Sequence, residues 1–324
     1  MKEKIIKNIM QKMQNILNNK QMNQLKQTLN YEFKEIFEEN KGDKSNKELI
    51  DLFIDSKKLE GCSDNTIKYY ISTINLMLKF VNKYINEIDT NDLRNYLSNY
   101  QKQNNSSKIT IDNIRRILSS FFSWLEDENY IIKSPVRRIK KVKSPIKIKE
   151  TYSDEELEIM RDNVNNYRDL ALIDILASTG MRVGELVKLN IEDVDFNERE
   201  CLVLGKGNKE RIVYFDARTK IHLKNYLNSR NDNNNALFIS LKYPYNRMSI
   251  NGIECRLKKI GEKLNIKRVH PHKFRRTLAT MAIDKGMPIE QVQRLLGHEK
   301  VDTTLKYAMV KQSNVKIAHQ KYIG

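Results

Sequence analysis

Four segments in the second half of this 324-residue chain set arginine, lysine, histidine and tyrosine beside glycines able to make sharp turns. Those residue types could break a phosphodiester without a metal, a reaction that needs a nucleophile, cations around the developing phosphorane charge, and an acid for the leaving 5′ oxygen. The same half carries no dense carboxylate cluster of the kind a two-metal nuclease uses.

In the first segment, Thr179-Gly180-Met181-Arg182-Val183-Gly184-Glu185-Leu186, Gly180 lets the chain turn. Arg182 then opens a short helix with Glu185 one turn on, where the carboxylate can orient the guanidinium. Taken alone, an arginine with glutamate at i+3 is usually a surface ion pair. The second segment runs from Leu204 to Arg211 and puts Lys206 between Gly205 and Gly207 at an expected hairpin tip. A lysine there can reach a DNA groove, and an ordinary exposed turn lysine would read the same way.

The third segment is His270-Pro271-His272-Lys273-Phe274-Arg275-Arg276. Pro271 suits the first turn of a helix, so His272 and Arg275, at i and i+3, should share a face. His-x-x-Arg is common by itself, and a lone histidine of this sort is more often structural than catalytic. In the fourth, Leu295 to Tyr307, Gly297 ends one helix and presents His298, while Asp302 or Thr303 can cap the next. Tyr307 follows His298 by nine residues; among 15 tyrosines its neighbourhood, not its type, singles it out.

The elements that must position these groups are mostly helical. Ser153-Asp154-Glu155-Glu156 is a capping box that predicts a helix start, and a second helix is expected from about Tyr167 to Thr179, ended by Gly180. Cys201–Leu204 and Arg211–Phe215 flank the glycine-rich turn and read as a β-hairpin, after which helices resume. Upstream, all five prolines lie at or after Pro135 and only Gly42 and Gly61 precede Gly180, so the first 134 residues should be nearly all helix.

Within that stretch, residues 1–40 carry apolar side chains at helical spacing and predict one or two amphipathic helices. They form an N-terminal extension, residues 1–45, whose role stays open between an arm that touches DNA or a partner subunit and simple packing. Residues 46–132 predict four helices with breaks near 61–64, 87–90 and 104–107. Ser63 or Asp64 could cap the second, and Ile117, Leu118, Phe121 and Phe122 take core spacing, which makes neighbouring Trp124 a packing residue. Residues 133–149 hold eight basic residues, two prolines and no acid, an extended basic linker. Its Arg137, Arg138, Lys140, Lys141 and Lys143 read as DNA contacts over a merely solvated linker. Residues 150–324 complete the chain as a second domain with a C-terminal tail.

The bulk numbers agree with a polyanionic partner. Lys plus Arg exceed Asp plus Glu by 58 to 41, a formal charge of +17 and a pI near 9.5. Cys62, Cys201 and Cys255 are an odd number without metal-type spacing, which fits a reducing cytosol. No run approaches the roughly 18 apolar residues of a membrane span, so no membrane partner is expected and the protein is read as cytoplasmic, in a bacterial cytosol with DNA.

The phrases TGMRVGEL, GKGNKERIV, PHKFRRTLAT, LLGH and TTLKYA stand in one order along the chain. In that order they resemble the signature of the tyrosine recombinase (phage integrase) family, from about residue 46 to the end. The resemblance implies a mainly α fold with a small β-sheet: a helical core-binding domain followed by a mixed α/β catalytic domain. It also implies six catalytic residues, Arg182, Lys206, His272, Arg275, His298 and Tyr307, with Glu185 in support. By the same resemblance Arg182, Arg275 and His298 surround the scissile phosphate, Tyr307 attacks it, His272 removes the tyrosine proton, and Lys206 protonates the leaving oxygen. No metal, nucleotide or other cofactor is implied. The implied partners are double-stranded DNA with specific recombination sites, a homotetramer assembled on two such sites, and an accessory directionality factor as a further partner the family allows. The tail, with Val310, Val315, Ile317 and Ile323, resembles one that docks on a neighbouring subunit, although it could equally pack on its own domain.

One position departs from the family: a histidine is common directly after the second arginine, where this chain has Arg276. It lies outside the six. The rival enzyme is a type IB topoisomerase, which His272-Lys273-Phe274-Arg275 speaks against because that family resembles Lys-x-x-Arg there. The rival binder is a DNA-binding protein without catalysis. Among recombinases, an enzyme that integrates or excises a mobile element is set above a Xer-type chromosome-dimer resolvase on the strength of the N-terminal extension.

Overall fold

A computed structural model describes residues 2–14, 16–39, 44–143, 150–205, 210–299, 301, 304 and 305. The chain divides into two compact units, residues 1–146 and 147–324.

The first unit is helical. Helices α1 (Lys2–Met13) and α2 (Asn19–Glu39) pack on each other, so the extension contains two helices. Four more follow: α3 (Asn46–Leu59), α4 (Asp64–Val81), α5 (Thr90–Gln103) and α6 (Lys108–Asp127). Each of these four begins at a side-chain cap, Ser45, Ser63, Asp89 and Ser107 in turn, where an oxygen accepts from backbone amides that the first helical turn leaves without partners. Apolar residues at helical spacing then meet in one core, with Phe53, Ile74, Met77, Leu93, Leu118, Phe121, Phe122 and Leu125 fully buried. Trp124 sits edge-on to Phe53 at 5.5 Å between ring centres, a packing role.

The basic segment after α6 is not extended throughout. Pro135–Arg138 form a 3-10 turn, and Pro135 and Val136 are buried on the first unit. The Ser134 amide donates to Glu126 at 3.0 Å, the Thr90 hydroxyl to the Pro135 carbonyl at 2.8 Å, and the Val142 amide to Asp112 at 3.0 Å. The physical reason is the apolar set Val136, Ile139 and Val142 at three-residue spacing among the lysines, which packs against the helical core. The last part of the segment, 144–149, lies outside the described residues.

The second unit is built around α8 (Tyr167–Thr179), whose Ala171, Leu172, Ile173, Ile175 and Leu176 are all buried. Before it stands α7 (Asp154–Asp162), started by the Ser153–Glu156 capping box; after it come α9 (Val183–Leu186) and a three-stranded antiparallel sheet. The strands are β1 (Val194–Asp195), β2 (Glu200–Leu204) and β3 (Glu210–Tyr214), in that order. Two residues are too few to show an alternation, which is why β1 escapes the sequence pattern. The register pairs Cys201 with Val213 and Val203 with Arg211. Cys201, Val203 and Val213 are buried, so Arg211, across from Val203 and two residues from Val213, belongs to the inward face. Helices α10 (Ala217–Asn228), α11 (Ile250–Lys263), α12 (Pro271–Asp284) and α13 (Ile289–Leu296) complete the unit. Among the described residues no helix is long and apolar enough to cross a membrane.

Candidate active site

Two left-handed glycines hold the site. Gly180, at φ 59°, ends α8, and Gly297, at φ 62°, ends α13, a backbone state that side chains with a Cβ disfavour. A Cβ at either would also require a neighbouring side chain to move: at Gly180 it would lie 2.7 Å from Cδ2 of Leu278, and at Gly297 2.8 Å from Cδ of Arg211. The carbonyls at these helix ends carry partial negative charge and attract cations.

Arginines use those carbonyls to tie the segments together. Arg182, the N-cap of α9, donates from Nη2 to the Gly297 carbonyl at 3.1 Å. Arg275, on α12 and only 3% exposed, donates from Nη1 to the Gly180 carbonyl at 2.7 Å and from Nη2 to the Leu296 carbonyl. Segments separated by about a hundred residues thus meet through guanidinium groups fixed in orientation.

Glu185 lies at the centre of the cluster, 4% exposed. Its Oε1 accepts from Arg182 Nη1 at 2.8 Å and Arg211 Nη1 at 2.6 Å; its Oε2 accepts from the Arg182 amide at 2.7 Å and Arg211 Nη2 at 2.8 Å. Burial pushes this carboxyl up, and the hydrogen bonds and charge of Arg211 and Arg182 more than reverse that, holding it below the usual range. The i+3 spacing therefore marks a buried charge network and not a surface pair.

His298 follows Gly297. Its Nδ1 lies 2.9 Å from the Thr304 hydroxyl, and its backbone is held by Gln293, whose carbonyl accepts from the His298 amide at 3.1 Å and whose side-chain amide donates to the His298 carbonyl at 2.9 Å. Burial first, then the charges of Arg275, Arg182 and Arg211, lower its pKa to about 4, so the ring is neutral at physiological pH. Three guanidiniums against one carboxylate leave this pocket with net positive charge, suited to a phosphate and to the extra charge of a pentacoordinate state.

The structure thus brings together Arg182, Glu185, Arg275 and His298. His272 sits one residue past Pro271 at the start of α12 and is exposed, whereas Arg275 on the same helix is buried. Lys206 and Tyr307, with Asp302 and Thr303, lie outside the described residues. Arg276, where the family commonly has histidine, donates to the Glu150 carbonyl at 3.0 Å. Arg137, Arg138, Lys140, Lys141 and Lys143 belong to the first unit and are exposed; Arg137 reaches Glu126 at 3.4 Å. Sequence reasoning missed Arg211 and Thr304. Strand alternation held a signal for Arg211, since it shares parity with the inward Val213 and Phe215.

Residues 150–314 match the phage integrase family and residues 49–132 match the phage integrase N-terminal SAM-like domain. Tyrosine recombinase XerC of Oceanobacillus iheyensis is 31% identical over 290 residues, which is 84% of this chain and 94% of that protein. The fold is similar to XerH site-specific recombinase bound to palindromic difH substrate, at TM-score 0.68 and 23% identity, covering 97% of this chain and 93% of that one. It is also similar to the Tn1549 transposon integrase in complex with a circular intermediate DNA, at TM-score 0.64 and 18% identity, covering 84% of this chain and 99% of that one. The chain belongs to the phage integrase family of tyrosine-type site-specific recombinases, enzymes that cleave and rejoin DNA strands.

Proposed function

We propose that the pocket of Arg182, Arg275 and His298 binds the scissile phosphate and that Tyr307 is the nucleophile. The observation that carries this reading is the convergence of oriented guanidiniums beside a neutral histidine at the two glycine turns. The tyrosine oxygen forms a bond to phosphorus while the bond from phosphorus to the 5′ oxygen breaks; the phenol proton passes to His272, and Lys206 supplies a proton to the leaving oxygen. The 3′-phosphotyrosyl link keeps the energy of the broken bond, so a 5′ hydroxyl from another duplex can reseal it without ATP or a metal. Nicked suicide duplexes followed by a denaturing gel test the assignment. Tyr307→Phe should bind DNA and form no covalent adduct, and an adduct of normal yield in that variant would overturn it.

The enzyme acts in this reading as a homotetramer on two specific DNA sites, and it integrates or excises a mobile element. The two-helix extension outside the family matches favours that role. A second reading, chromosome-dimer resolution, is favoured by the similarity to XerC and by the likeness to XerH, which extends over 97% of this chain. Recombination of a circular element into a target site by this protein alone supports the first; strand exchange only at a chromosomal site and only with a partner recombinase supports the second.

A further inference from the structure

We infer that Arg211 is a positioning residue for cleavage: through Glu185 it fixes the guanidinium of Arg182, and its stem fills the space that Gly297 leaves open beside His298. The inference rests on the reading of Arg182 as a phosphate ligand and goes beyond it by adding a residue that touches no substrate.

Geometry carries it. Arg211 is 14% exposed and meets both Glu185 oxygens side by side, at 2.6 and 2.8 Å, while Arg182 takes the remaining positions on the same two oxygens. A carboxylate held by one fork can swing about it, whereas one held by two guanidiniums and an amide is fixed in place and in plane. The strand delivers Arg211 because its register sets it across from Val203 on the buried face. At the other end, Cδ of Arg211 would stand 2.8 Å from a Cβ on Gly297. The stem therefore sits directly against the turn whose carbonyl holds Arg182 Nη2 and whose next residue is His298. One side chain on β3 supports two of the groups proposed to touch phosphate.

Removing Arg211 has a distinctive consequence. Glu185 would remain buried with Arg182 as its cationic partner, and burial would then raise its carboxyl instead of losing to the two arginines. Once protonated, Glu185 no longer holds Arg182 as an ion pair. Among the described residues, the other charged or titratable groups facing this cluster are Arg275 on α12 and His298 after α13. Cleavage by the variant should therefore acquire an acid limb additional to the one that protonation of the His272 base gives the wild type.

Single-turnover cleavage of a suicide duplex, at saturating full-length protein and from pH 5.5 to 9, reads this directly, with DNA affinity and melting temperature measured on the same samples. Arg211→Met should bind DNA within about 3-fold of wild type yet cleave roughly 10- to 100-fold more slowly at pH 7, recovering toward alkaline pH. Arg211→Lys, which keeps the charge and loses the fork, should fall between, and it decides the matter alone if the methionine variant does not fold. Adding Glu185→Gln to Arg211→Met should abolish the added limb and leave the one shared with the wild type. Wild-type cleavage at every pH in Arg211→Lys and Arg211→Met, or a loss equal at every pH, overturns the inference. Arg182→Ala in the same assay separates the two levels: if it cleaves normally the phosphate-site reading fails, and if it is inactive while the Arg211 variants are normal only the role of Arg211 fails.

Discussion

Within the candidate site, His298 is held far from its free behaviour. A histidine in the unfolded chain binds its proton near pH 6.5, while in the fold burial and three arginines lower that value to about 4. The unfolded chain thus binds more protons in between. The contribution of this group to stability is whole above about pH 6.5 and is lost as pH falls toward 4. A bound phosphate would offset the arginine charge, so DNA should raise the His298 pKa. Imidazole NMR of histidine-labelled protein, with His298→Gln to assign the signal among five histidines, should find titration near 4 without DNA and upward movement with it. Titration near 6.5 in the free protein would sink the electrostatic picture. How much of this was legible varies by residue. Arg182 and Glu185 announce themselves by i+3 spacing, but nothing local distinguishes their buried network from a surface pair. Arg211 was hidden because its partner lies 26 positions away on a separate element, helix α9, which only the tertiary fold brings to β3.

Among the elements, helix ends and the breaks between helices were read from sequence, and the docked turn after α6 was not. Ser153 with Glu156, Gly180, Pro271 and Gly297 each act within one turn of backbone, so their types alone locate α7, α8, α12 and α13. The docked 3-10 turn at Pro135–Arg138 depends on a core assembled from distant helices, and lysines mask its apolar spacing. The glycine turns permit a controlled prediction. Gly286 and Gly297 both have positive φ, 89° and 62°, but a Cβ on Gly286 meets open space while one on Gly297 meets Arg211. Gly286→Ala should cost about 1 kcal/mol of stability from the left-handed backbone alone and leave cleavage intact. Gly297→Ala should add a loss of cleavage of roughly 10-fold or more by displacing Arg211 and the carbonyl that holds Arg182. Equal cleavage by the two variants would show that the Gly297 turn matters only for folding.

At the scale of the whole molecule, a net charge of +17 gives the protein a field that draws DNA whatever its sequence, and the local question is which cations neutralise phosphates. Arg138, Lys140, Lys141 and Lys143 are exposed on a segment whose backbone is pinned to the first unit by Val136 and by the Val142 amide, so ordering them on a phosphate backbone costs less than ordering a free linker would. Arg137 is drawn toward Glu126 at 3.4 Å, and Lys141 lies near enough to Asp112 to help lower that carboxyl. Each phosphate neutralised releases counterions and steepens the fall of log K with log salt by about 0.9. Replacing Arg138, Lys140, Lys141 and Lys143 together by glutamine should therefore reduce the magnitude of that slope by roughly 3 to 4 and weaken binding to all duplex sequences alike. Arg137→Gln should change the slope far less, because its charge is already shared with a carboxylate. An unchanged slope in the fourfold variant would mean that these cations are solvated and that other basic residues of the chain carry the DNA.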